Sequence, residues 1–292
     1  MSEGPFWHLV TSEKMPVILR DDCDLAMAMN LFASSCSLYP DLKVLAFTWM
    51  NNHLHAVVAG DHDAVLSLFG SLRKRLVDVL SKKGGHVGLS AWTCKVIGVN
   101  DLGYMRNLIA YVHRNGYVVD KAVTPFSYLW GTGPVYYNAP RTGVQHRLRD
   151  LPVRIKREIF RSRDMFGPDE WIVVDDRYIA PESFCDVDLG MAMFRNAHQY
   201  LSALTKNVEA YSQIALELME DNFATDNELY SVVARLCKQD FGVNTVREMD
   251  QISKVQLVRK LHYDYRAGNS QISRITALPQ SFIDSLFPLS SG

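Results

Sequence analysis

The chain has 292 residues and a formal net charge of −1, with 48% hydrophobic and 22% charged residues. That length accommodates two domains and a substantial core, and the composition is that of an ordinary globular protein. No run of eighteen apolar residues is present, which argues against a helical membrane span, and the N-terminus lacks the basic flank and apolar core of a secretory signal. Five scattered cysteines (Cys23, Cys36, Cys94, Cys185 and Cys237) form no Cys-x-x-Cys pair, so reduced thiols in a cytoplasmic protein are expected.

The first predicted element is a strand over Phe6 to Glu13, followed by a helix over Arg20 to Phe32. Next comes Trp49 to Val58, an apolar, β-prone stretch that reads as one buried strand. Residues at i and i+2 of a strand share a face, so His53 and His55 project side by side with Leu54 turned away. Two neutral imidazoles held that way can clamp a divalent ion. Taken alone, the pair also fits two partly buried histidines on an edge strand.

Leu66 to Lys95 carries Arg73, Lys74, Arg75, Lys82, Lys83 and Lys95 against the single acid Asp78. A basic helix of this kind suits a phosphate backbone, or is simply a solvated face. A turn at Gly84-Gly85 leads to a strand whose Trp92 either stacks on a base or packs inside. An amphipathic helix follows, with Asn100 or Asp101 as N-cap, apolar Leu102, Met105, Leu108, Ile109 and Val112, and Gly116 as its stop. On its last turn Tyr111 and Asn115 lie four apart and stack on one face. A tyrosine hydroxyl can act as a nucleophile, and an amide oxygen one turn away can complete a metal site. His113 sits about 200° around the helix from Tyr111, so it is expected to face solvent or the sheet rather than act as a base.

Residues 131–150 are rich in Gly and Pro and read as a linker or extended arm. Beyond them the pattern is helical: Leu151 to Arg161, Val187 to Ala203, Lys206 to Asp221 and Asn227 to Phe241, interrupted at Glu170 to Phe184 by a short strand or strand pair. The C-terminus reads as three helices, Ser253 to Tyr265, Ser270 to Ala277 and Pro279 to Phe287, in a helix-turn-helix-like order. Gln280, Ser281 and Asp284 of the last one include no Arg or Lys, the usual base readers besides Asn and Gln, so DNA contact and partner binding both stay open for this unit.

The strand "WMNNHLHAVV" and the helix "LIAYVHRNGYVVD" together resemble the two signature motifs of HUH single-tyrosine transposases, in particular their REP-associated tyrosine transposase (RAYT) branch. Motif order, spacing and flanks agree over roughly residues 5–130. The chain has Asn51 where that family has a proline, and Gly116-Tyr117-Val118-Val119 where it has proline and glycine. The resemblance implies that His53, His55 and Asn115 ligate a divalent metal (Mn or Mg) and that Tyr111 is the nucleophile. It further implies that a single-stranded, hairpin-forming DNA is cut and rejoined through a 5′-phosphotyrosine, which needs no ATP and no phosphate-cradling loop. The expected architecture is α+β. An antiparallel sheet flanked by helices (residues 1–130, HUH/ferredoxin-like) precedes a linker (131–150) and a mostly α-helical domain (151–292). The basic residues Arg73 to Arg75, Lys82, Lys83 and Lys95 are the expected DNA contacts, and a homodimer with shared sites is left open. Two other readings remain: a DNA-binding regulator that no longer cuts, and a metal-dependent hydrolase in which Tyr111 is incidental.

Overall fold

A computed structural model describes residues 5–11, 18–82, 92–119, 124–138, 143–163, 167–206, 214, 226–265 and 267–288. The chain forms two compact units, Met1–Leu204 and Thr205–Gly292. It is a mixed α and β protein, with an antiparallel four-stranded sheet and a mostly helical C-terminal half.

The first unit is built on strands β1 (Phe6–Thr11), β2 (Lys43–Trp49), β3 (Leu54–Ala59) and β4 (Cys94–Val99), in the antiparallel order β2-β3-β1-β4. The expected single strand from Trp49 to Val58 is therefore two strands. Met50 to His53 turn between them, with Met50 N donating to His53 O at 2.8 Å. β2 and β3 are almost entirely buried, so neither shows the alternation that would have separated them.

Pairing fixes which side chains share a face. Leu54, Ala56 and Val58 of β3 join Leu9, Phe47 and Trp49 on one side. Helices α1 (Asp22–Cys36) and α2 (His62–Lys82) pack there, α2 through Val65, Leu68, Leu72, Leu76 and Leu80. Each such leucine contributes about 1.5–3 kcal/mol by leaving water. His55 lies in the opposite register row with Thr48, Val10 and Lys95, and His8 shares the row of Val57 and Ile97. Helix α3 (Leu102–Val119) covers that second face, where Tyr111 meets His55.

Asp101 caps α3 by accepting from Tyr104 N at 2.7 Å, as expected. The helix does not stop at Gly116 but runs on to Val119. Gly116 serves a different need, since a Cβ there would stand 2.4 Å from Cγ of Tyr128. The bare backbone lets the Tyr128 ring lie on the helix while its hydroxyl donates to Trp49 O at 2.7 Å.

The described residues of the expected linker are packed structure. Trp130 O accepts from Trp49 N at 2.8 Å, Thr132 N donates to Phe47 O at 3.0 Å, and Gly131 bridges to Thr48, so this segment extends the sheet past β2. A second small sheet, β5 (Gln145–Arg147), β6 (Ile172–Val174) and β7 (Tyr178–Ile179), lies against α1. Its β6–β7 turn places Asp175 and Asp176 at φ 51° and 53°, the left-handed pair that a tight hairpin requires. The side chain of Asn30 on α1 reaches this hairpin, accepting from Ile179 N and donating to Arg177 O, both at 2.9 Å. Residues 151–204 thus belong to the first unit, and the compact boundary falls after Leu204 rather than in the 131–150 segment.

Helix α4 (Val153–Phe160) matches expectation, whereas Val187 to Ala203 is two helices, α5 (Val187–Ala192) and α6 (Ala197–Lys206). Asn196 starts the second by accepting from Gln199 N at 2.9 Å. The helix expected over Lys206 to Asp221 falls almost wholly outside the described residues. In the second unit, α7 (Asp226–Asp240), α8 (Gln251–Tyr263), α9 (Asn269–Thr276) and α10 (Gln280–Leu286) follow the predicted spans closely. Arg274 grips Asp226 with two nitrogens at 3.0 and 3.2 Å, and Asn269 holds Asp284 and Phe287 O at 2.9 and 2.8 Å. Asp284 also accepts from Gln280 at 2.9 Å, so two of the three polar groups named on the last helix are engaged within the unit.

Candidate active site

Three predicted residues come together. The rings of His53 and His55 lie edge to face with centroids 4.9 Å apart, and His55 meets Tyr111 edge to face at 5.8 Å. Sheet register places His55 on the α3 side, and helical spacing brings Tyr111 down onto it. Asn115, one turn further along α3, is buried, and its amide donates to Tyr111 O at 3.3 Å. Tyr111 itself is only 3% exposed.

Burial sets the charge state. Desolvation, helped by His55, lowers the pKa of His53 to about 3, and desolvation lowers that of His55 to about 3. Both imidazoles are neutral at ordinary pH, the form that ligates metal. Nδ1 of His53 lies 2.7 Å from Asn52 Oδ1, which can only accept, so that nitrogen carries the hydrogen and Nε2 keeps its lone pair. Two neutral imidazoles and a carboxamide suit a transition-series ion, Mn²⁺ or a softer one, better than Mg²⁺. Among the described residues no group of three or more His, Cys, Asp and Glu side chains is arranged to hold a metal. Asn115 and the ligand's own oxygens would have to complete the coordination.

One residue of this centre was not visible in the sequence. His8 of β1 lies wholly buried with Nε2 3.2 Å from Nδ1 of His55, the rings nearly parallel at 22°. It enters through the β1–β3 pairing, which no local motif announces. His113, expected at solvent or the sheet, is buried on the sheet side of α3, with Nδ1 2.8 Å from Tyr200 Oη and Nε2 2.8 Å from Thr132 Oγ1.

Among the described residues, the basic side chains of α2 do not form a face beside this centre. α2 lies across the sheet from His55, because its leucines pack on the Leu54, Ala56 and Val58 side. Arg75 donates to Ser34 Oγ at 2.7 Å and Arg73 to Trp92 O at 3.4 Å. Lys74, Arg75 and Lys82 instead line a cavity of about 360 Å³ together with Arg161, which closes α4 in a left-handed conformation at φ 50°. Arg161 lies outside the basic Leu66 to Lys95 segment. Lys95 alone of the predicted contacts shares the row of His55, and Lys83 lies outside the described residues. Trp92 is fully buried, stacked on Trp49 at 6.2 Å and tilted against Phe69 at 5.3 Å, so of its two readings packing holds.

The fold and this centre define an α+β protein with a buried His-His-Tyr constellation between its sheet and one helix. A solved structure of a REP-associated tyrosine transposase bound to a REP hairpin is similar to the chain, with a TM-score of 0.38 and 13% identity over 49% of this chain and 88% of that one. No family model and no curated protein matches. No disulfide joins the five cysteines, and no described helix is long and apolar enough to cross a membrane.

Proposed function

We propose that the chain cleaves and rejoins single-stranded, hairpin-forming DNA by a metal-assisted tyrosine mechanism of the HUH type. The observation that carries this reading is the contiguous run of His53, His55 and Tyr111, with ring centroids 4.9 and 5.8 Å apart. His53, His55 and Asn115 would hold the divalent ion, which when bound supplies Lewis-acid polarisation of a non-bridging phosphate oxygen. Tyr111 Oη attacks the phosphorus, and its proton passes to the leaving 3′ oxygen. The bond from phosphorus to the 3′ oxygen breaks, leaving a 3′-hydroxyl and a 5′-phosphotyrosine. A 3′-hydroxyl attacking that phosphotyrosine reverses the step and restores Tyr111, so the bond energy is conserved. The low-dielectric surroundings strengthen any charge interaction made there.

Incubation of the protein with single-stranded hairpin DNA and Mn²⁺ tests this. A denaturant-resistant adduct is expected for wild type and not for Tyr111→Phe, which removes only the hydroxyl. An adduct that persists in Tyr111→Phe moves the nucleophile elsewhere. The burial of Tyr111 favours a second reading, a DNA-binding regulator that does not cut. Hairpin binding without an adduct in wild type supports that alternative.

A further inference from the structure

We propose that His8 is a positioning residue of the histidine pair, holding the His55 ring so that Nε2, and not Nδ1, is presented to the ligand. This rests on the metal reading above. His8 Nε2 lies 3.2 Å from His55 Nδ1, and one hydrogen lies between the two nitrogens. When His55 donates it, Nε2 of His55 carries the lone pair. His53 is held in the same sense, its Nδ1 donating to Asn52 Oδ1 at 2.7 Å. Both rings of the His-x-His pair are then gripped at Nδ1, and grips of this kind fix tautomer and ring orientation in metal-ligating histidines.

Packing does not account for an imidazole at position 8. Its register partners on both neighbouring strands, Val57 and Ile97, are apolar. The other nitrogen, Nδ1 of His8, is buried and has no hydrogen-bond partner among the described residues. A buried polar atom with no partner destabilises the fold. An aliphatic side chain would avoid that cost, but it could not hold His55.

The test is Mn²⁺ affinity, read by the electron paramagnetic resonance of unbound Mn²⁺, together with the visible spectrum of Co²⁺-loaded protein. Wild type, His8→Leu, His8→Gln and the double variant His53→Ala, His55→Ala are compared, with metal-free thermal unfolding in parallel. His8→Leu is expected to weaken Mn²⁺ binding by about 10–100-fold and to shift the Co²⁺ spectrum, with a metal-free Tm at or above wild type. His8→Gln places an amide oxygen near the Nε2 position and should recover most of the affinity. If His8→Leu binds Mn²⁺ like wild type while the double variant does not, His8 only packs and the proposal is overturned. If wild type binds no better than the double variant, the metal reading fails, and the proposal falls with it. If His8→Leu does not fold, His8→Gln is compared with His8→Asn, whose amide is one bond too short. Equal affinity of those two also overturns the proposal.

Discussion

His113 ties the tyrosine helix to the edge of the sheet: its Nε2 lies 2.8 Å from Thr132 Oγ1, and that hydroxyl also accepts from Phe47 N at 2.9 Å. The other ring nitrogen meets Tyr200 Oη at 2.8 Å. α3, β2 and α6 are thus joined through one imidazole, two residues from Tyr111.

The pH dependence of folding follows from that burial. Desolvation lowers the pKa of His113 to about 3, whereas the unfolded ring takes a proton near 6.5. Between those values the unfolded state binds more protons, so stability is full above about pH 6.5 and falls as pH drops toward 3. Each such group adds a slope of up to about 1.4 kcal/mol per pH unit. His8, His53 and His55 act in the same direction. Urea unfolding at pH 7.5 and at pH 5 should show this loss, and His113→Gln should reduce the slope by close to one proton. An unchanged slope in His113→Gln would remove His113 from the account.

Gly116 and Gly70 should respond in opposite ways to alanine. At Gly116 the new Cβ collides with Tyr128, displacing the ring and its hydrogen bond to Trp49 O. Gly116→Ala is expected to cost about 2–4 kcal/mol, the scale of an overpacked or disrupted core. Gly70 lies inside α2 with open space where a Cβ would go. Gly70→Ala should stabilise by up to about 1 kcal/mol through helix propensity. Equilibrium denaturation of the two variants measures both, and a stabilised Gly116→Ala would contradict the packing of Tyr128.

Added Mn²⁺ should raise the Tm of wild type. The rise should grow with the logarithm of Mn²⁺ concentration above the dissociation constant, as for any ligand that binds only the folded state. The double variant His53→Ala, His55→Ala should show no such rise. Mg²⁺, which prefers oxygen ligands, should be the weaker stabiliser. A Tm gain from Mn²⁺ that survives in the double variant would place the ion elsewhere.

The position of the charges separates two kinds of DNA variant. Lys95 lies in the row of His55, so Lys95→Glu should lower adduct yield more than overall hairpin affinity. Lys74, Lys82 and Arg161 line a cavity against α1 and α2, across the sheet. Their replacement by Ala should weaken binding to all DNA sequences about equally. It should also flatten the salt dependence of affinity by roughly 0.7–0.9 for each phosphate that is no longer neutralised. If the triple variant keeps the wild-type salt slope, that cavity faces no phosphate.

Local signals served the sequence reading well where they were local. The capped tyrosine helix, the β6–β7 strand pair and the spans of α4 and α7 to α10 follow from periodicity and punctuation alone. His53 and His55 were expected on one strand face, but only His55 is on β3: His53 closes the Met50 to His53 turn just before it, and the two rings meet there at 4.9 Å. His8 could not be read, because only the register of β1 against β3 carries it to His55. The basic residues of α2 were visible, but their side of the sheet was not, since long-range packing of the leucine stripe decides it. Gly116 misled for a physical reason: glycine both stops helices and admits a close neighbour, and the sequence does not say which.

The small sheet ends on a side chain rather than on water. Asn30 presents β7 with one acceptor and one donor, the same pair of groups that a further strand would offer. Asn30, 2% exposed, therefore works as a one-residue strand supplied by a helix. An outer strand left open would be a template for another chain. Here that side is already taken, so any intermolecular extension of this sheet has to begin at β5.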